Sequence, residues 1–255
     1  MKAKIDFANK EYTIDFSKPI DISIPLKEGI ENVNAWYAPF VEITAVKMGD
    51  FIGDVSLGGP VNFKNVKLNP HGNGTHTECV GHISPKAEIL DHCMKSFFFK
   101  AHVLSIYPTI LENNDRVITL DAVRALMADV NEAELGTALI IRTLPNDSMK
   151  KTLHYSGKNP AYMDHLAMKF LVDEMGFEHL LIDLPSVDRE EDEGKLLAHH
   201  AFWKFPYDTR FASTITELIF VPDEVKDGDY FLNIQISSLQ MDASPSKPVL
   251  YEIIL

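Results

Sequence analysis

The chain has 255 residues, 45% hydrophobic and 24% charged, which is ordinary for a folded globular protein and unlike a disordered chain. Its formal net charge of −13 argues against a nucleic-acid partner, which would need a clustered basic surface. There is no run of about 18 apolar residues and no signal peptide, and Cys79 and Cys93 are the only cysteines, so we expect a cytoplasmic protein without a membrane partner.

The first fifth of the chain is predicted to form β-strands. The segments "YTIDFS", "PIDISIPL" and "FVEITAVKMG" alternate apolar and polar residues and are rich in β-branched types. The next segment, "FIGDVSLGGPVNFKNVKLNP", predicts a strand, a Gly-Gly-Pro turn and a second strand. This second strand leads directly into a histidine-rich segment.

The middle of the chain is predicted to alternate strands and helices. Apolar runs bounded by turn residues predict buried strands in "FFFKAHVLSIYP", "ALIIRTL" and "HLLIDLPSVD". Helical spacing of apolar residues predicts one helix in "LDAVRALMADV", with Asp121 near its start, and another in "AYMDHLAMKFLVDEMGF". The second helix would bury a face made of Leu166, Phe170 and Leu171 and would stop at Gly176.

Strand patterns return at the end of the chain, in "TELIFV", "YFLNIQISSLQ" and "VLYEIIL". No internal repeat or low-complexity linker is visible in the sequence. Strands at both ends around a strand–helix–strand middle predict one α/β domain over residues 1–255, with a mixed sheet.

The segment "NPHGNGTHTECVGH" concentrates three histidines, His71 among them, and one glutamate among three glycines. Imidazole and carboxylate are ligands of Zn²⁺, Mn²⁺ or Fe²⁺, and no set of cysteines competes. If the chain is extended here, His76, Glu78 and His82 point to one side. One histidine could be a general acid/base rather than a ligand. The alternative is a glycine-rich surface loop whose histidines cap backbone carbonyls, an interpretation that is strongest for His71.

A second histidine pair, His199 and His200, lies in "LLAHHAFWKFP" and is followed by Glu217 in "TITELIF". Taken alone this pattern is a weak signal, because a histidine pair on a helix is more often at the surface than on a metal. A single glutamate in a strand is also often solvated. Together with the first cluster, these residues could complete a two-site metal centre.

These motifs resemble those of the putative cyclase family, which includes bacterial kynurenine formamidase and isatin hydrolase. The segment "GTHTECVGH" matches the family signature His-x-Gly-Thr-His-x-Asp-x-x-x-His from Gly74 to His82. "IDLPSVD" resembles the family's Asp-x-x-Ser-x-Asp stretch, and "AHHAFW" resembles its Ala-His-Arg-x-Leu-Leu helix, which selects His199 over His200. "PIDISIPL" and the segment that begins at "TELIFV" resemble its terminal segments, so the resemblance spans nearly the whole chain.

The resemblance implies a swivelling β/β/α fold, a homodimer or higher homo-oligomer, and one or two divalent ions, Zn²⁺ or Mn²⁺. The implied metal ligands are His71, His76, Glu78, His199 and Glu217, with Glu78 bridging. His82 would be the general acid/base. The implied reaction is arylformamidase-like: a metal-bound hydroxide hydrolyses a carbon–nitrogen bond in an amide or formamide of a small molecule.

Three features depart from the family pattern. His71 lies five residues before His76, whereas the family histidine lies four before, and Glu78 replaces an aspartate. One more methylene moves a carboxylate by about 1.5 Å, so we interpret the extra residue and the longer side chain as two halves of one adjustment. A Glu78 that turned away from the site would contradict this hypothesis. The third departure is the length of the segment between His199 and Glu217.

That long segment contains Trp203, Tyr207 and Arg210 and is predicted to lie near the mouth of the pocket. It is either a surface loop or a substrate lid in which Arg210 faces an acidic group of the substrate. Both interpretations remain open from the sequence.

Cys79 is expected to be a buried thiol rather than a nucleophile, because extended geometry points it away from the face that carries Glu78. Asp183, Ser186 and Asp188 could shape the site from behind the ligands. They could equally form a turn at a strand end, since Pro, Ser and Asp favour turns.

The sequence therefore predicts a metal-dependent hydrolase, with two alternatives from other classes. One is a non-catalytic binding relative whose metal site is degraded by the departures at positions 71 and 78. The other is a lyase or dehydratase that uses the same metal to stabilise an enolate. Retention of His76, His82, His199 and Glu217 favours an enzyme, but one such site supports several reactions, so the substrate stays open.

Overall fold

A computed structural model describes residues 1–254 of the chain as four short α-helices and seventeen strands. The helices are α1 (Leu90–Cys93), α2 (Leu120–Met127), α3 (His165–Asp173) and α4 (Leu197–Trp203). The strands are β1 (Lys2–Phe7), β2 (Lys10–Asp15), β3 (Ile20–Asp21), β4 (Glu42–Ala45), β5 (Lys47–Met48), β6 (Phe51–Ile52), β7 (Lys64–Lys67), β8 (His76–Glu78), β9 (Phe98–Ile106), β10 (Thr109–Ile110), β11 (Arg116–Ile118), β12 (Ala138–Thr143), β13 (Tyr162–Met163), β14 (His179–Ile182), β15 (Thr214–Glu217), β16 (Gly228–Ile236) and β17 (Ala243–Ile254). Across residues 1–254, no helix has the length and apolar character needed to cross a bilayer.

The largest sheet closes into a barrel of seven strands. Their order is β8-β15-β14-β12-β9-β16-β17, and β17 pairs back onto β8. The run β9-β12-β14-β15 is parallel, whereas the other pairs around the barrel are antiparallel. The predicted class, an α/β fold with a mixed sheet, is therefore confirmed.

Strand β12 lies at the centre of the packing, and all six of its residues are buried. Because side chains alternate across a strand, its two faces serve two different cores. Leu139 and Ile141 pack in the core that α2 and α3 cover, whereas Ile140 packs in a second core with residues of β16 and β17. Burial on both faces explains why this segment is a continuous apolar run in the sequence.

Helix α3 forms where it was predicted, but its buried face differs from the predicted one. The Asp164 carboxylate caps the helix by accepting the backbone N–H of Leu166 at 3.1 Å. Leu171 is buried as expected, but Leu166 is 47% exposed and Phe170 only partly buried. The predicted face was wrong because α3 packs against both α2 and α4, and this shifts its buried stripe. The buried residues are Ala167, Met168, Leu171 and Val172.

Several predicted strand segments differ in extent from the observed strands. "TELIFV" contributes only its first two residues to β15, because Leu218 adopts a left-handed backbone with φ +53° and ends the ladder. Within "PIDISIPL" the strand is only Ile20–Asp21. The segments over 40–70 form two separate small sheets, β4 with β7 and β5 with β6. Leu255, the last residue of the final predicted strand, lies outside the described residues.

Candidate metal centre

Strand β8 carries two of the predicted ligands into the barrel wall between β15 and β17. Its pairing with β15 places His76 opposite Glu217, and His76 Nε2 lies 3.5 Å from Glu217 Oε2. Because residues two apart share a face of a strand, Glu78 points to the same side as His76. After Glu78 the chain enters a short 3₁₀ helix, Val80–His82, which returns the His82 side chain toward Glu78.

The Glu78 carboxylate stands at the centre of the cluster and has no exposed surface. Its Oε1 lies 3.2 Å from His199 Nε2. Its Oε2 lies 3.2 Å from His71 Nδ1 and 3.6 Å from His82 Nδ1. One carboxylate therefore faces three imidazoles at once.

Helix α4 delivers His199 to this carboxylate, and Asp188 fixes the start of that helix. The Asp188 carboxylate accepts the backbone N–H groups of Ala198 and His199 at 2.8 and 3.0 Å. It also lies 2.6 Å from His199 Nδ1. Because the outer nitrogen is held in this way, the inner nitrogen, Nε2, is directed at Glu78. The Trp203 ring stacks on the imidazole at a centroid distance of 5.6 Å.

Two buried polar atoms at the centre lack a hydrogen-bond partner. His76 Nδ1 donates to the carbonyl oxygen of Gly74 at 3.0 Å, which leaves Nε2 as a free lone pair. This Nε2 and Glu78 Oε2 are both buried without a hydrogen bond. Orphaned buried polar atoms are costly, and a cation would satisfy both. His71, His76 and Glu78 offer ligand atoms within 4.8 Å of one another, so the donor set fits a divalent ion.

The carboxylates around the cluster strongly favour protonated imidazoles. Burial opposes the charge on His71 and His199, but the neighbouring carboxylates outweigh it and raise the pKa of each to about 10. These carboxylates are Asp242 and Glu78 for His71, and Asp188 and Glu78 for His199. Burial likewise opposes ionisation of Glu78, but the histidines hold its pKa well below the usual range. A divalent ion would compete with these protons for the same nitrogens, so its binding should release protons.

A cavity of about 310 Å³ opens onto the cluster. His71, His82, His199 and Glu217 line its floor, and Trp36, Asn69, Ser186 and Arg189 are among the residues that line its other sides. A cavity of this size, with convergent polar groups on one side, fits a small molecule.

A sequence model of the putative cyclase family matches residues 20–189. The chain belongs to the putative cyclase family. Among curated proteins no match was found.

Solved structures share the fold at low sequence identity. A predicted metal-dependent hydrolase from Bacillus stearothermophilus is 18% identical over 92% of this chain and 98% of its own, with a TM-score of 0.62. Isatin hydrolase A from Labrenzia aggregata, bound to benzyl benzoate, is 11% identical over 92% and 93%, with a TM-score of 0.68. Isatin hydrolase A from Ralstonia solanacearum is 13% identical over 92% and 91%, again with a TM-score of 0.68. At these identities the likeness establishes the fold.

All the residues that the family resemblance assigned to the centre lie in one cluster. They are His71, His76, Glu78, His82, His199 and Glu217. Their individual roles as ligands or acid/base stay predictions.

The two departures in the first motif do not remove either residue from the cluster. His71 approaches Glu78 at 3.2 Å, and its ring centroid lies 5.2 Å from that of His76. Glu78 points inward rather than away. The geometry therefore agrees with the hypothesis that the extra residue and the longer carboxylate compensate for one another.

One residue of the cluster was missed by the sequence analysis. Asp242 Oδ2 lies 3.0 Å from His71 Nε2 and 3.6 Å from His82 Nδ1. Asp242 directly precedes β17, whose pairing with β8 brings it to the site. This pairing closes the barrel between segments far apart in sequence, so no local signal could have revealed it.

The sequence left open whether residues 183–188, after β14, shape the site or form a turn at the strand end; in the structure they do both. Asp188 holds His199, and Ser186 lines the cavity. Asp183 is instead a buried anchor of the strand end, because its oxygens accept the backbone N–H and hydroxyl of Thr143 and lie 2.8 Å from Lys150 Nζ.

Arg210 is not among the residues that line the cavity, which disfavours the open interpretation in which it faces an acidic group of the substrate. Its guanidinium donates to the carbonyl oxygens of Phe202, at 2.8 Å, and Phe177. These carbonyls are left free at the ends of local elements, and the arginine satisfies them. Tyr207 is 97% exposed, whereas Trp203 is buried beneath His199. The segment therefore matches the surface-loop interpretation.

Cys79 is fully buried, as expected, and faces the core rather than the cluster. Its contact with Cys93 and its burial both raise the pKa of the Cys79 thiol above the ordinary value. Since the thiolate is the nucleophilic form of cysteine, this environment disfavours a catalytic role.

Proposed function

We propose that this protein is a metal-dependent hydrolase that cleaves a carbon–nitrogen bond in a small amide, such as a formamide or a lactam. The observation that carries the proposal is the pair of buried atoms without hydrogen bonds, His76 Nε2 and Glu78 Oε2. They lie in a cluster whose other members, His71, His82, His199 and Glu217, line a cavity. Family membership and the isatin hydrolases among the structural neighbours support the choice of a cyclic amide.

Five side chains would hold the metal: His71, His76, Glu78, His199 and Glu217. The ion would be Zn²⁺ or Mn²⁺, since nitrogen and oxygen donors suit both. The two oxygens of Glu78 face different histidines, so either oxygen could serve as a ligand. When bound, the metal would supply Lewis acidity and a water that ionises near neutral pH.

His82 is placed to move the proton that the reaction requires. Hydrolysis joins the oxygen of one water to the carbonyl carbon, breaks the carbon–nitrogen bond and transfers a proton to the departing nitrogen. His82 lines the cavity with 30% of its side chain exposed, and its Nδ1 faces Glu78. Its Nε2 forms no hydrogen bond with the described residues 1–254, so this atom is free to accept and return the proton.

The other walls of the cavity would orient the substrate. The Trp36 indole offers an aromatic surface, and Asn69 and Ser186 offer polar groups that can bind a carbonyl or an amide. Trp36 and its neighbour Tyr37 both adopt a left-handed backbone, with φ of +59° and +51°. Non-glycine residues in this conformation are uncommon and cluster at binding sites.

The test is hydrolysis by protein reconstituted separately with Zn²⁺ and Mn²⁺, with an N-formyl aromatic amine, a five-membered lactam and a cyclic imide as substrates. We expect at least one to be hydrolysed. The variant His82→Asn should lower kcat by about 10²–10⁴-fold while metal content is retained. His165→Asn, at a half-exposed histidine on α3, is the matched control and should leave kcat unchanged. Metal-loaded protein that hydrolyses none of the three would contradict the proposal.

A further inference from the structure

Asp242 reaches the cluster from the strand that closes the barrel. It directly precedes β17, and β17 pairs with β8 so that Ala243 lies opposite Glu78. The backbone carbonyl of Asp242 also accepts the N–H of Cys79 at 3.0 Å. The pairing with Glu78 on β8 and the hydrogen bond from the next residue, Cys79, therefore fix the position from which the Asp242 side chain extends.

One oxygen of Asp242 lies close to two histidines of the cluster. Oδ2 is 3.0 Å from His71 Nε2, a hydrogen-bond distance, and 3.6 Å from His82 Nδ1. The two imidazole rings lie face to face at a tilt, with centroids 4.5 Å apart. The carboxylate thus sits at the edge of this ring pair and can hold both members.

In two other histidines of the cluster, His76 and His199, a hydrogen-bond partner likewise holds the ring nitrogen that faces away from the centre. His76 has its outer nitrogen held by the Gly74 carbonyl, and His199 has its outer nitrogen held by Asp188. In a metal-binding histidine, the hydrogen bond of the outer nitrogen fixes the orientation of the ring, so that the inner nitrogen points at the metal site. For His71 the outer nitrogen is Nε2 and its partner is Asp242, which leaves Nδ1 directed at Glu78.

His71 needs such an anchor because its backbone position differs from that in the family motif. It lies one residue further from His76 and is 23% exposed, unlike the fully buried His76. A ring on a longer and more exposed loop has more orientations to lose on binding an ion. The contact with Asp242, which lies next to β17 and outside the first motif, restricts the orientation of the His71 ring.

We propose that Asp242 is a positioning residue that orients His71 for metal binding and His82 for proton transfer. The inference rests on the proposed function. Asp242 makes its contribution through the two imidazoles and without touching the substrate. It makes the metal centre depend on the closure of β17 onto β8.

The test measures metal affinity separately from activity. The dissociation constants of Zn²⁺ and Mn²⁺ are determined by competition with a chromophoric chelator for the wild type, Asp242→Ala and Asp242→Asn. We expect Asp242→Ala to weaken metal binding by about 10–100-fold, as removal of such a partner commonly does. Asp242→Asn, whose amide oxygen can still accept from His71, should recover part of this loss. With saturating metal, Asp242→Ala should lower kcat more than it changes KM.

Asp229→Asn is the matched control. Asp229 lies 2.8 Å from His102 and 2.7 Å from Lys100 on strands β9 and β16, so its loss should lower the melting temperature. It should leave the metal dissociation constant unchanged, because neither His102 nor Lys100 belongs to the cluster. If Asp242→Ala binds metal as tightly as the wild type, the inference is overturned and the proposed function stands. If the wild type binds neither ion, both are overturned.

Discussion

Asp188 and His199 are joined by a contact of 2.6 Å between a carboxylate oxygen and Nδ1 of the imidazole. The same carboxylate caps α4, the helix that carries His199, by accepting two backbone N–H groups. One side chain therefore sets both where the helix begins and how the imidazole is oriented. This relationship couples the local fold to the geometry of the candidate centre.

The coupling predicts the effect of Asp188→Asn. Asparagine keeps one acceptor oxygen, so it can still accept a backbone N–H group at the start of α4. It loses either the bond to Ala198, which Oδ1 accepts, or the bonds to His199, which Oδ2 accepts. The neutral amide is a weaker partner for His199 Nδ1, and we expect metal affinity to fall by about 10–100-fold. Asp164→Asn is the control, because Asp164 caps α3 and lies 3.2 Å from His165 but is remote from the cluster. Equal metal affinities for Asp188→Asn and the wild type would show that the contact has no role in the centre.

The length of the Glu78 side chain is predicted to matter. Glu78→Asp withdraws the carboxylate by about 1.5 Å, whereas metal–oxygen distances tolerate only about 0.2 Å. The variant should therefore bind less metal, even though it restores the residue that is usual in the family motif. Metal per chain is measured after dialysis against a weak chelator, with Glu42→Asp on the exposed strand β4 as the control. Full metal occupancy in Glu78→Asp would contradict the hypothesis of a compensated loop.

Arg210→Ala is expected to change stability rather than substrate recognition. Loss of the guanidinium leaves the carbonyls of Phe202 and Phe177 without their donor, which should cost about 1–3 kcal/mol of unfolding free energy. KM should stay the same for carboxylated and neutral substrates, because Arg210 does not line the cavity.

Urea unfolding and steady-state kinetics measure the two effects of Arg210→Ala. Arg124→Ala is the matched control, since both arginines stack over a phenylalanine ring, at 5.2 Å for Arg124 and 5.3 Å for Arg210. Arg124 is exposed and should contribute little. A KM that rises only for carboxylated substrates would restore the lid interpretation.

The contribution of His179 to stability should fall in mild acid. Burial, aided by the charge of Arg210, lowers the pKa of His179 from 6.5 to about 4. The folded chain keeps this imidazole neutral while the unfolded chain takes up a proton below pH 6.5. The contribution is therefore fully present above pH 6.5 and is lost as the pH falls toward 4, by about 3 kcal/mol when complete.

Urea unfolding at pH 7.5 and pH 5, in the presence of a chelator, measures this effect for the wild type and His179→Gln. From pH 7.5 to pH 5, the change in unfolding free energy should be more favourable to the folded state in the variant than in the wild type. His165→Gln, at a half-exposed position, is the control and should behave like the wild type. An identical pH dependence in His179→Gln and the wild type would contradict the prediction.

The sequence predicted those parts of the site that lie within short motifs. His76, Glu78 and His82 follow one another in a strand and a turn, so local geometry is enough to bring them together. His199 and Glu217 were predicted through the family resemblance, since their approach to Glu78 depends on pairing between distant elements. Asp242 was missed for the same reason: it meets His71 across 171 positions of the chain.

The errors in the fold prediction have similar physical causes. The buried face of α3 depends on which helices pack against it, and Leu166 lies outside that contact. Strand β15 ends early because Leu218 adopts a left-handed conformation, which no local sequence pattern indicates. The sequence left open whether Arg210 faces the cavity, because the carbonyls that decide its orientation are brought to it by the fold. In each case, tertiary contacts override a reasonable local pattern.

The most direct test of the account is the metal content of the purified protein, measured by elemental analysis under metal-replete conditions. We predict one or two equivalents of zinc or manganese in the wild type, loss of metal in Glu78→Ala, and reduced metal in His71→Ala. Glu42→Ala should match the wild type. Retention of metal by His71→Ala would remove His71 from the ligand set. A wild-type chain that holds no metal would contradict the account as a whole.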